Sequence, residues 1–496
     1  MHTAKDAQPR GPASIDQLPA EILLAVFAAA ALAHDDDRPC YDDPSVFRHV
    51  RRRRNPAVAL SHVCTRWRAL ANATPSLWET LYLDGDIDGD RAEAKAMWWT
   101  RRLARATESP AAGHGYQYGH DAALPGAAAS RSRPGEISSG VVSLVLTRIQ
   151  DWTPDDFAGL CDALELLHLG SLRAVRYSWM GGGLSPDENR QLQAAFRFLV
   201  PSATTLRSLT VFSPSHLRIG LSLPRLGHTF SALESVEIRS CKLASPASDA
   251  YLLPAFLPRY AGESDWRPLT SLRHLVLVGP VWRLRYQDGT IASPVVSAAD
   301  LPAVEYVHLG STAPPVFWNL LSHSTGTLRH LTLEDHLDHP TLPDPDLALC
   351  GIANLRTLKL LRSAPLADRL LACALRAGPS LRFLHLETLE LAGAHLQQGH
   401  LDLFATTRAP ALRRLVLSDT TSPGSLQLQL PSMASLEDLV LTRVDWITAA
   451  AVIDSIETSR LPRLGRLAAD FAFGDLDQWK LKYRGITWTV DAEEPA

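Results

Sequence analysis

The 496-residue sequence lacks the features that mark several classes of protein. Its 6 cysteines are scattered without a CxxC pair, which argues against a disulfide framework or a structural zinc site and favours a reducing compartment. The apolar run at residues 22–33 is too short to span a bilayer, and the polar residues before it do not form a signal peptide. The sequence therefore predicts a protein without a membrane partner, located in the cytoplasm, the nucleus or both.

An excess of charge of one sign is also missing, as are the motifs of common enzymes. The formal net charge of −4 shows no strong asymmetry along the chain, so nucleic acid is not an expected partner. Two opposite runs stand out, Asp35–Asp37 and Arg51–Arg54, and four consecutive arginines are typical both of nuclear-import signals and of solvated loops. The patterns HExxH, GxSxG and Walker A do not occur. We therefore expect a binding protein that is not an enzyme and needs no cofactor or metal.

Two short amphipathic helices are predicted near the N-terminus from two sets of apolar residues at helical spacing. Pro19 suits the first turn of a helix, where its missing N–H costs nothing, and Glu21 favours the same turn electrostatically. Because about sixty residues cannot bury so many large apolar side chains alone, part of this surface must meet another domain or a partner. The apolar residues at helical spacing are Ile22, Leu23, Val26, Phe27, Leu60, Val63, Trp67 and Leu70.

Residues 14–80 resemble the F-box, the helical module that docks a protein onto the Skp-type adaptor of a cullin–RING ubiquitin ligase. The likeness rests on the two apolar segments and on the closing sequence TPSLW, with an insertion at about 34–55 in place of the usual short turn. It implies binding to the adaptor and, through the adaptor, to cullin. The alternative is a helical cap on an adaptor-independent leucine-rich-repeat scaffold. The resemblance implies adaptor contacts by Leu18, Pro19, Ile22, Leu23, Phe27, Val63, Cys64, Trp67, Leu77 and Trp78.

The sequence after residue 140 is repetitive. The motif LxxLxL, the strand signature of a leucine-rich repeat, recurs mostly at intervals of 24 to 32 residues. Each copy buries its leucines only by stacking on its neighbours, so we expect one solenoid over 141–490, preceded by a helix and a disordered linker at 81–140. The predicted strands lie at 142–146, 164–169, 206–211, 233–238, 272–277, 304–309, 328–333, 355–360, 381–386, 412–417, 436–441 and 464–469.

The predicted fold class is α/β, with an N-terminal helical F-box followed by an irregular leucine-rich-repeat solenoid that has a parallel concave sheet. This order resembles fungal F-box substrate receptors of SCF ubiquitin ligases, which implies a substrate-recognition subunit whose repeats bind an unknown substrate protein. The third and fifth positions of LxxLxL face the concave side and mix aromatic, histidine and charged residues, which suits protein recognition. The histidines are spaced too loosely across the strands to favour a metal site. The candidate substrate-binding residues are His274, Tyr306, His308, His330, Thr332, Glu334, Lys359, Phe383, His385 and Glu387.

Overall fold

The computed structural model divides into two compact units, Met1–Val175 and Arg176–Ala496. Within the residues that the structure describes, no helix has the length and apolar character that crossing a membrane requires. The predicted insertion at about 34–55 and the predicted linker after residue 98 lie outside the described residues. The structure describes residues 18–27, 56–72, 74–84, 91–92, 94–98, 141–147, 149, 152–166, 169–178, 198–213, 230–240, 269–278, 284–285, 291–292, 302–310, 326–334, 354–362, 364–378, 382–422, 429–444, 447–458, 460–470, 480 and 482–490.

The first unit begins with short helices and continues with parallel strands. Residues 20–27 are helical, and the strand β1 (Thr80–Asp84) pairs in parallel with β2 (Ser143–Thr147). The sheet therefore starts before residue 141, where the sequence analysis placed the beginning of the repeat domain. The helical elements described between residue 56 and β1 are α1 (Pro56–Ser61), α2 (Thr65–Asn72) and a 3-10 turn (Pro75–Trp78).

Fourteen of the strands that the structure describes are hydrogen-bonded in chain order in one open sheet. Every strand pairing described within this sheet is parallel, so the predicted α/β solenoid is confirmed. A separate antiparallel pair is formed by β7 (Leu284–Arg285) and β8 (Ile291–Ala292). The other strands are β3 (Ala174–Ser178), β4 (Ser208–Ser213), β5 (Ser235–Ser240), β6 (His274–Val278), β9 (Tyr306–Gly310), β10 (His330–Glu334), β11 (Thr357–Leu361), β12 (Thr388–Ala392), β13 (Arg414–Ser418), β14 (Asp438–Thr442), β15 (Arg466–Ala469) and β16 (Thr487–Val490).

The repeated leucines form ladders along the sheet. The middle leucine of each motif lies beside its counterpart in the next strand, as Leu331, Leu358 and Leu389 do, and the last leucines Leu333 and Leu360 form a second ladder. All five side chains are buried. Because burying a leucine side chain stabilises the fold by about 1.5–3 kcal/mol, each strand is held mainly by its neighbours in the array.

Helices follow several strands, and helix α4 shows how such a helix packs an apolar face against the sheet. Helix α4 (Ala364–Arg376) buries Ala367, Leu370, Leu371 and Ala374, which have the i, i+3, i+4 and i+7 spacing of one helix face. Its contacts with β11 place this face against the sheet. The other helices of the described residues after β2 are α3 (Pro154–Leu166), α5 (Gln398–Asp402) and α6 (Ala449–Glu457).

The strand predicted at 164–169 is wrong. These residues include the end of helix α3, and the strand of this copy is β3, with Val175 and Tyr177 buried. The helix begins because the Thr153 hydroxyl accepts a hydrogen bond from the Asp156 backbone N–H at 3.1 Å, as an N-cap residue does. The helix continues to Leu166, so the motif LELLHL begins inside a helix, before the chain reaches the sheet.

The strand predicted at 381–386 is also wrong, because LRFLHLETLEL contains the motif twice and the second copy forms β12. Leu384 would be a core leucine in the first copy, but 49% of it is exposed. Phe383 is buried instead, with its ring centroid 5.9 Å from that of Phe404. Its backbone N–H donates to the carbonyl of Arg408 at 2.7 Å, which fixes residues 382–386 as a turn before the strand.

Left-handed backbone directly follows four consecutive strands, β11 to β14. The φ angles are +49° at Arg362, +78° at Gly393, +53° at Asp419 and +51° at Arg443. Such a conformation costs a residue other than glycine about 1–3 kcal/mol. The charged side chains make compensating contacts, since the Arg443 guanidinium donates to Asp419 at 2.9 Å and that of Arg362 donates to Glu334 at 2.5 Å. A residue with left-handed backbone directly after the strand is therefore a regular feature of these four C-terminal repeats.

Gly310 is expected to be intolerant of a side chain, because it is buried at the end of β9 against β6. A Cβ at this position would lie 2.7 Å from Cγ1 and 3.1 Å from Cα of Val278. We expect Gly310→Ala to lower the free energy of unfolding by about 1–3 kcal/mol, the usual range for overpacking. Val278→Ala in the same chain should restore part of this loss, because it removes the nearest atom.

Urea unfolding of the single and double variants tests this prediction. The matched control is Gly326→Ala, since a Cβ at Gly326 meets no atom within 4 Å. Equal losses of stability for the two glycine variants would contradict the predicted contact between β9 and β6.

Candidate functional sites

The N-terminal module has a small core of its own. Leu23 and Phe27 are fully buried, and the Phe27 ring packs on that of Trp67 with the centroids 4.9 Å apart. The two helical segments are joined further by the guanidinium of Arg66, which donates to the carbonyl of Leu18 at 2.7 Å. These contacts bring residues 18–27 and helix α2 together although the predicted insertion separates them in the chain.

The closing sequence TPSLW fixes the end of helix α2. The indole N–H of Trp78, a side chain that is only 1% exposed, donates to the carbonyl of Ala71 at 2.6 Å. The Thr74 hydroxyl donates to the carbonyl of Leu70 at 2.7 Å. Both bonds satisfy carbonyls of the last helical turn, which have no partner within the helix. The same short segment therefore ends the helix, fills the core and leads directly into β1.

Apolar side chains remain on the outside of this module. Ile22 is 49% exposed, Val26 is 42% exposed and Val63 is 56% exposed, and Pro19 is exposed as well. Pro19, Ile22 and Val26 lie along one side of the first helical segment because they are three and four residues apart. Exposed apolar side chains grouped in this way mark an interaction site more often than isolated ones do.

Burial divides the ten predicted adaptor-binding residues into three groups. Pro19, Ile22 and Val63 are exposed, and Leu18 and Cys64 are half-buried. The other five form the core of the module and hold the exposed residues in place. The exposed Val26 was missing from the predicted set, although its spacing from Ile22 was a signal for it. The five core residues are Leu23, Phe27, Trp67, Leu77 and Trp78.

In the second unit, the strand residues that alternate with the leucines lie in rows across neighbouring strands, and we call the face that they form the polar face. Parallel registration aligns these residues from β4 to β15. The first row is Ser208, Ser235, His274, Tyr306, His330, Thr357, Thr388, Arg414, Asp438 and Arg466. The second row is Thr210, Glu237, Val276, His308, Thr332, Lys359, Glu390, Val416, Val440 and Ala468. The third row is Phe212, Arg239, Val278, Gly310, Glu334, Leu361, Ala392, Ser418 and Thr442.

Aromatic rings occupy the centre of the first row. The Tyr306 ring lies between those of His274 and His330, with centroid separations of 5.9 and 6.1 Å. The Nδ1 atom of His330 is 3.0 Å from the hydroxyl of Thr357 in the next strand. Burial lowers the pKa of His330, and the nearby positive charge of Arg356 lowers it further. The row therefore presents flat rings and a neutral imidazole at neutral pH.

Glu334 contacts both His308 and Arg362 at the end of β10. One carboxylate oxygen lies 3.0 Å from Nε2 of His308, and the other accepts a hydrogen bond from Arg362 at 2.5 Å. The hydrogen bond with His308, together with the charges of His308 and Arg362, outweighs the opposing effect of burial and lowers the pKa of Glu334 to about 2. A carboxylate fixed in this way organises the polar face at neutral pH.

The low pKa of Glu334 predicts a pH-dependent contribution to stability. A carboxyl with a folded pKa of about 2 and an ordinary pKa of 4.5 stabilises the fold fully above pH 4.5 and loses this effect as the pH falls towards 2. We expect Glu334→Gln to lower the free energy of unfolding at pH 7 by about 1 kcal/mol, because solvent partly screens the pair. The difference from the wild type should shrink between pH 4.5 and pH 2.

Urea unfolding at pH 7, 4.5 and 3 measures this difference. The control is Glu387→Gln, because Glu387 is exposed and makes no side-chain ion pair or hydrogen bond with the residues that the structure describes. The free energies of unfolding of Glu334→Gln and the wild type are compared at each pH. If their difference stays constant down to pH 3, the assigned role of the carboxylate is contradicted.

Ion pairs across strands continue on the C-terminal part of the polar face. Lys359 pairs with Glu390 at 2.8 Å. Asp438 lies between two arginines, 3.1 Å from Arg414 and 3.7 Å from Arg466. These charges are neutralised within the array, so this part of the face is held together by its own pairs. Glu390 was absent from the predicted site, because the register of its strand was misread in the sequence.

The structure brings seven of the ten predicted substrate-binding residues together on β6, β9, β10 and β11. Phe383, His385 and Glu387 are not strand residues, since all three precede β12. Phe383 is buried under Phe404, and the other two are exposed. The seven residues on the polar face are His274, Tyr306, His308, His330, Thr332, Glu334 and Lys359.

The comparison with known protein families supports the resemblance that the sequence analysis stated for the N-terminal module. A family model described as F-box-like matches residues 15–84, which include β1 and the helical elements that the structure describes ahead of it. No curated protein matches the chain. The chain thus carries an F-box-like domain, which supports binding to a Skp-type adaptor, and a parallel sheet compatible with leucine-rich repeats follows it.

Proposed function

We propose that the chain is the substrate-recognition subunit of an SCF-type cullin–RING ubiquitin ligase. The observation that carries this proposal is the exposed apolar surface of Pro19, Ile22, Val26 and Val63 on a module that matches the F-box-like family. Helices with an apolar side commonly dock into a hydrophobic groove of a partner. In this proposal, these four residues contact the Skp-type adaptor and the adaptor connects the chain to cullin.

The substrate protein binds the centre of the polar face in this proposal. Support comes from the exposed or half-buried rings of His274, Tyr306 and His330, because aromatic side chains contribute strongly to protein interfaces. The chain itself performs no covalent chemistry. It holds the substrate close to the ubiquitin-charged enzyme, and the gain in effective concentration promotes transfer to a substrate lysine.

Site-specific crosslinking in cells tests both parts of the proposal. Tyr306 is replaced by benzoylphenylalanine, and the matched control carries the same group at Leu384, which is exposed but lies outside the strands. We expect the Tyr306 position alone to capture a substrate protein. That protein should also accumulate when the full chain carries Ile22→Asp and Val63→Asp, because the substrate is then no longer delivered to the ligase. Identical capture at both positions, or unchanged levels of the captured protein, would refute the proposal.

A further inference from the structure

The residues immediately before the strands form a charged row beside the polar face, and we call them the edge row. In most of this row an arginine pairs with a glutamate of the next strand. Arg207 pairs with Glu234, Arg273 with Glu305 at 3.1 Å, and Arg413 with Glu437 at 3.9 Å. The edge row consists of Arg207, Glu234, Arg273, Glu305, Arg329, Arg356, Glu387, Arg413 and Glu437.

The pattern fails at β10 and β11, where two arginines are neighbours. Arg329 and Arg356 precede these strands, and the backbone N–H of Arg356 donates to the carbonyl of Arg329 at 2.7 Å. Neither guanidinium has an ion pair or hydrogen bond with the residues that the structure describes. Neighbouring strands are about 4.8 Å apart, and like charges facing each other across them destabilise a sheet. The array thus keeps two neighbouring arginines without ion pairs, whereas three other arginines of the row are each paired with a glutamate.

These cations lie beside the aromatic rings of the first row. His330 directly follows Arg329 in the chain, and its imidazole is close enough to Arg356 for that charge to lower its pKa. Tyr306 lies beside His330 in register, and Arg356 is exposed. Two carboxylates are nearby, but Glu305 is engaged by Arg273. The exposed Glu387, which precedes β12, partly offsets the positive charge.

We propose that Arg329, Arg356, His330 and Tyr306 bind an acidic peptide segment of the substrate. Its carboxylates would pair with the two guanidiniums, since arginine forms strong charge-assisted hydrogen bonds with carboxylates. A flat or apolar side chain of the same segment would pack on the rings of Tyr306 and His330. The inference rests on the proposed function, because it names the class of substrate that the polar face receives.

Fluorescence anisotropy with the full chain tests this inference, with a fluorescein-labelled copolymer of glutamate and tyrosine as the probe. We expect binding that weakens as salt is added, because the charges are solvent-accessible. The double variant Arg329→Gln, Arg356→Gln should bind about tenfold more weakly, which corresponds to two exposed charge contacts. Glu387→Gln should bind about twofold more tightly, because it removes a competing negative charge.

The matched control is Arg207→Gln, because Arg207 belongs to the same row but is paired with Glu234. It should bind the copolymer like the wild type. Three results would each overturn the inference: equal binding by the double variant and the wild type, equal losses in the double variant and the control, or binding of only a serine-phosphorylated peptide. Thermal unfolding of each variant verifies that the exposed substitutions leave the fold intact.

Adaptor binding by the same double variant separates the two proposals. If the copolymer does not bind but the chain still co-purifies with the Skp-type adaptor, the acidic-peptide inference fails and the proposed function stands. If adaptor binding is absent from the wild type, the proposed function fails whatever the copolymer does.

Discussion

Replacing Ile22 and Val63 with aspartate is expected to abolish binding to a Skp-type adaptor while the chain stays folded. Both side chains are about half exposed, so the substitutions leave the core of the module unchanged. In the complex they would place two carboxylates in an apolar interface without partners, which is strongly unfavourable. The affinity should fall by about 100-fold or more, or ~3 kcal/mol. Calorimetric titration of the full chain with the purified adaptor measures this change.

The control for this experiment makes the same chemical change elsewhere. Val200 and Leu384 are 53% and 49% exposed and lie in the second unit. The double variant Val200→Asp, Leu384→Asp should bind the adaptor like the wild type. If the two double variants lose affinity equally, the exposed apolar surface of the F-box-like domain is not the adaptor site.

Truncating Trp78 is expected to unfold the N-terminal module locally. The side chain is almost fully buried, and its indole N–H is bonded to the carbonyl of Ala71. Replacing a buried tryptophan with alanine typically costs about 3–5 kcal/mol, and here it also removes the shorter of two hydrogen bonds to the Ala71 carbonyl, which keeps the bond from the Thr74 backbone N–H at 3.3 Å. Because Trp78 lies between helix α2 and β1, two residues before the strand begins, protection from hydrogen exchange should fall in both elements.

Trp98 provides the matched control, since it is 47% exposed and its ring contacts that of Trp78 edge to face at 6.2 Å. Trp98→Ala removes this ring contact from a half-exposed side chain and should cost less, about 0.5–1.5 kcal/mol. Hydrogen–deuterium exchange of residues 65–84 compares the two variants. Equal deprotection would mean that Trp78 is not the central side chain of this module.

The strands were largely predictable because their signal is local. Where LxxLxL forms a strand, as at Leu328, Leu331 and Leu333, the middle and last leucines face the core and the residue between them lies on the polar face. The motif was misleading where a competing structure could use the same leucines. At LELLHL, a helix with an N-cap at Thr153 continues into the first residues of the motif. In LRFLHLETLEL the motif occurs twice with overlap, and the first copy is not a strand because Phe383 packs on Phe404.

Two strands at the ends of the sheet were not predicted. β1 has the pattern TLYLD but lies far from β2 in the chain, and only three-dimensional pairing joins them. β16 has the sequence TWTV and contains no leucine, so the repeat motif could not identify it. Neither strand could be predicted from its own sequence, because the pairing of parallel strands depends on contacts between residues that are distant in the chain.

The types of residue at the candidate sites could be predicted from the sequence, but the solvent exposure of each side chain could not. Helical spacing marked Ile22 and Leu23 equally as apolar residues, but one is half exposed and the other fully buried. The direction of a side chain depends on how residues 18–27 pack against α2, which a sequence pattern does not specify. In the same way, the sequence does not show that Arg329 and Arg356 lack ion pairs with the described residues. This follows only from the strand register, which determines the neighbours of each residue in the edge row.

The most direct test of the proposed function is calorimetric titration of the wild-type full chain with a purified Skp-type adaptor. We expect one adaptor to bind each chain with a Kd of about 1 µM or tighter, and the two proteins to co-elute in gel filtration. A well-folded chain that gives no binding heat and elutes separately from the adaptor would contradict the proposed role as a ligase subunit.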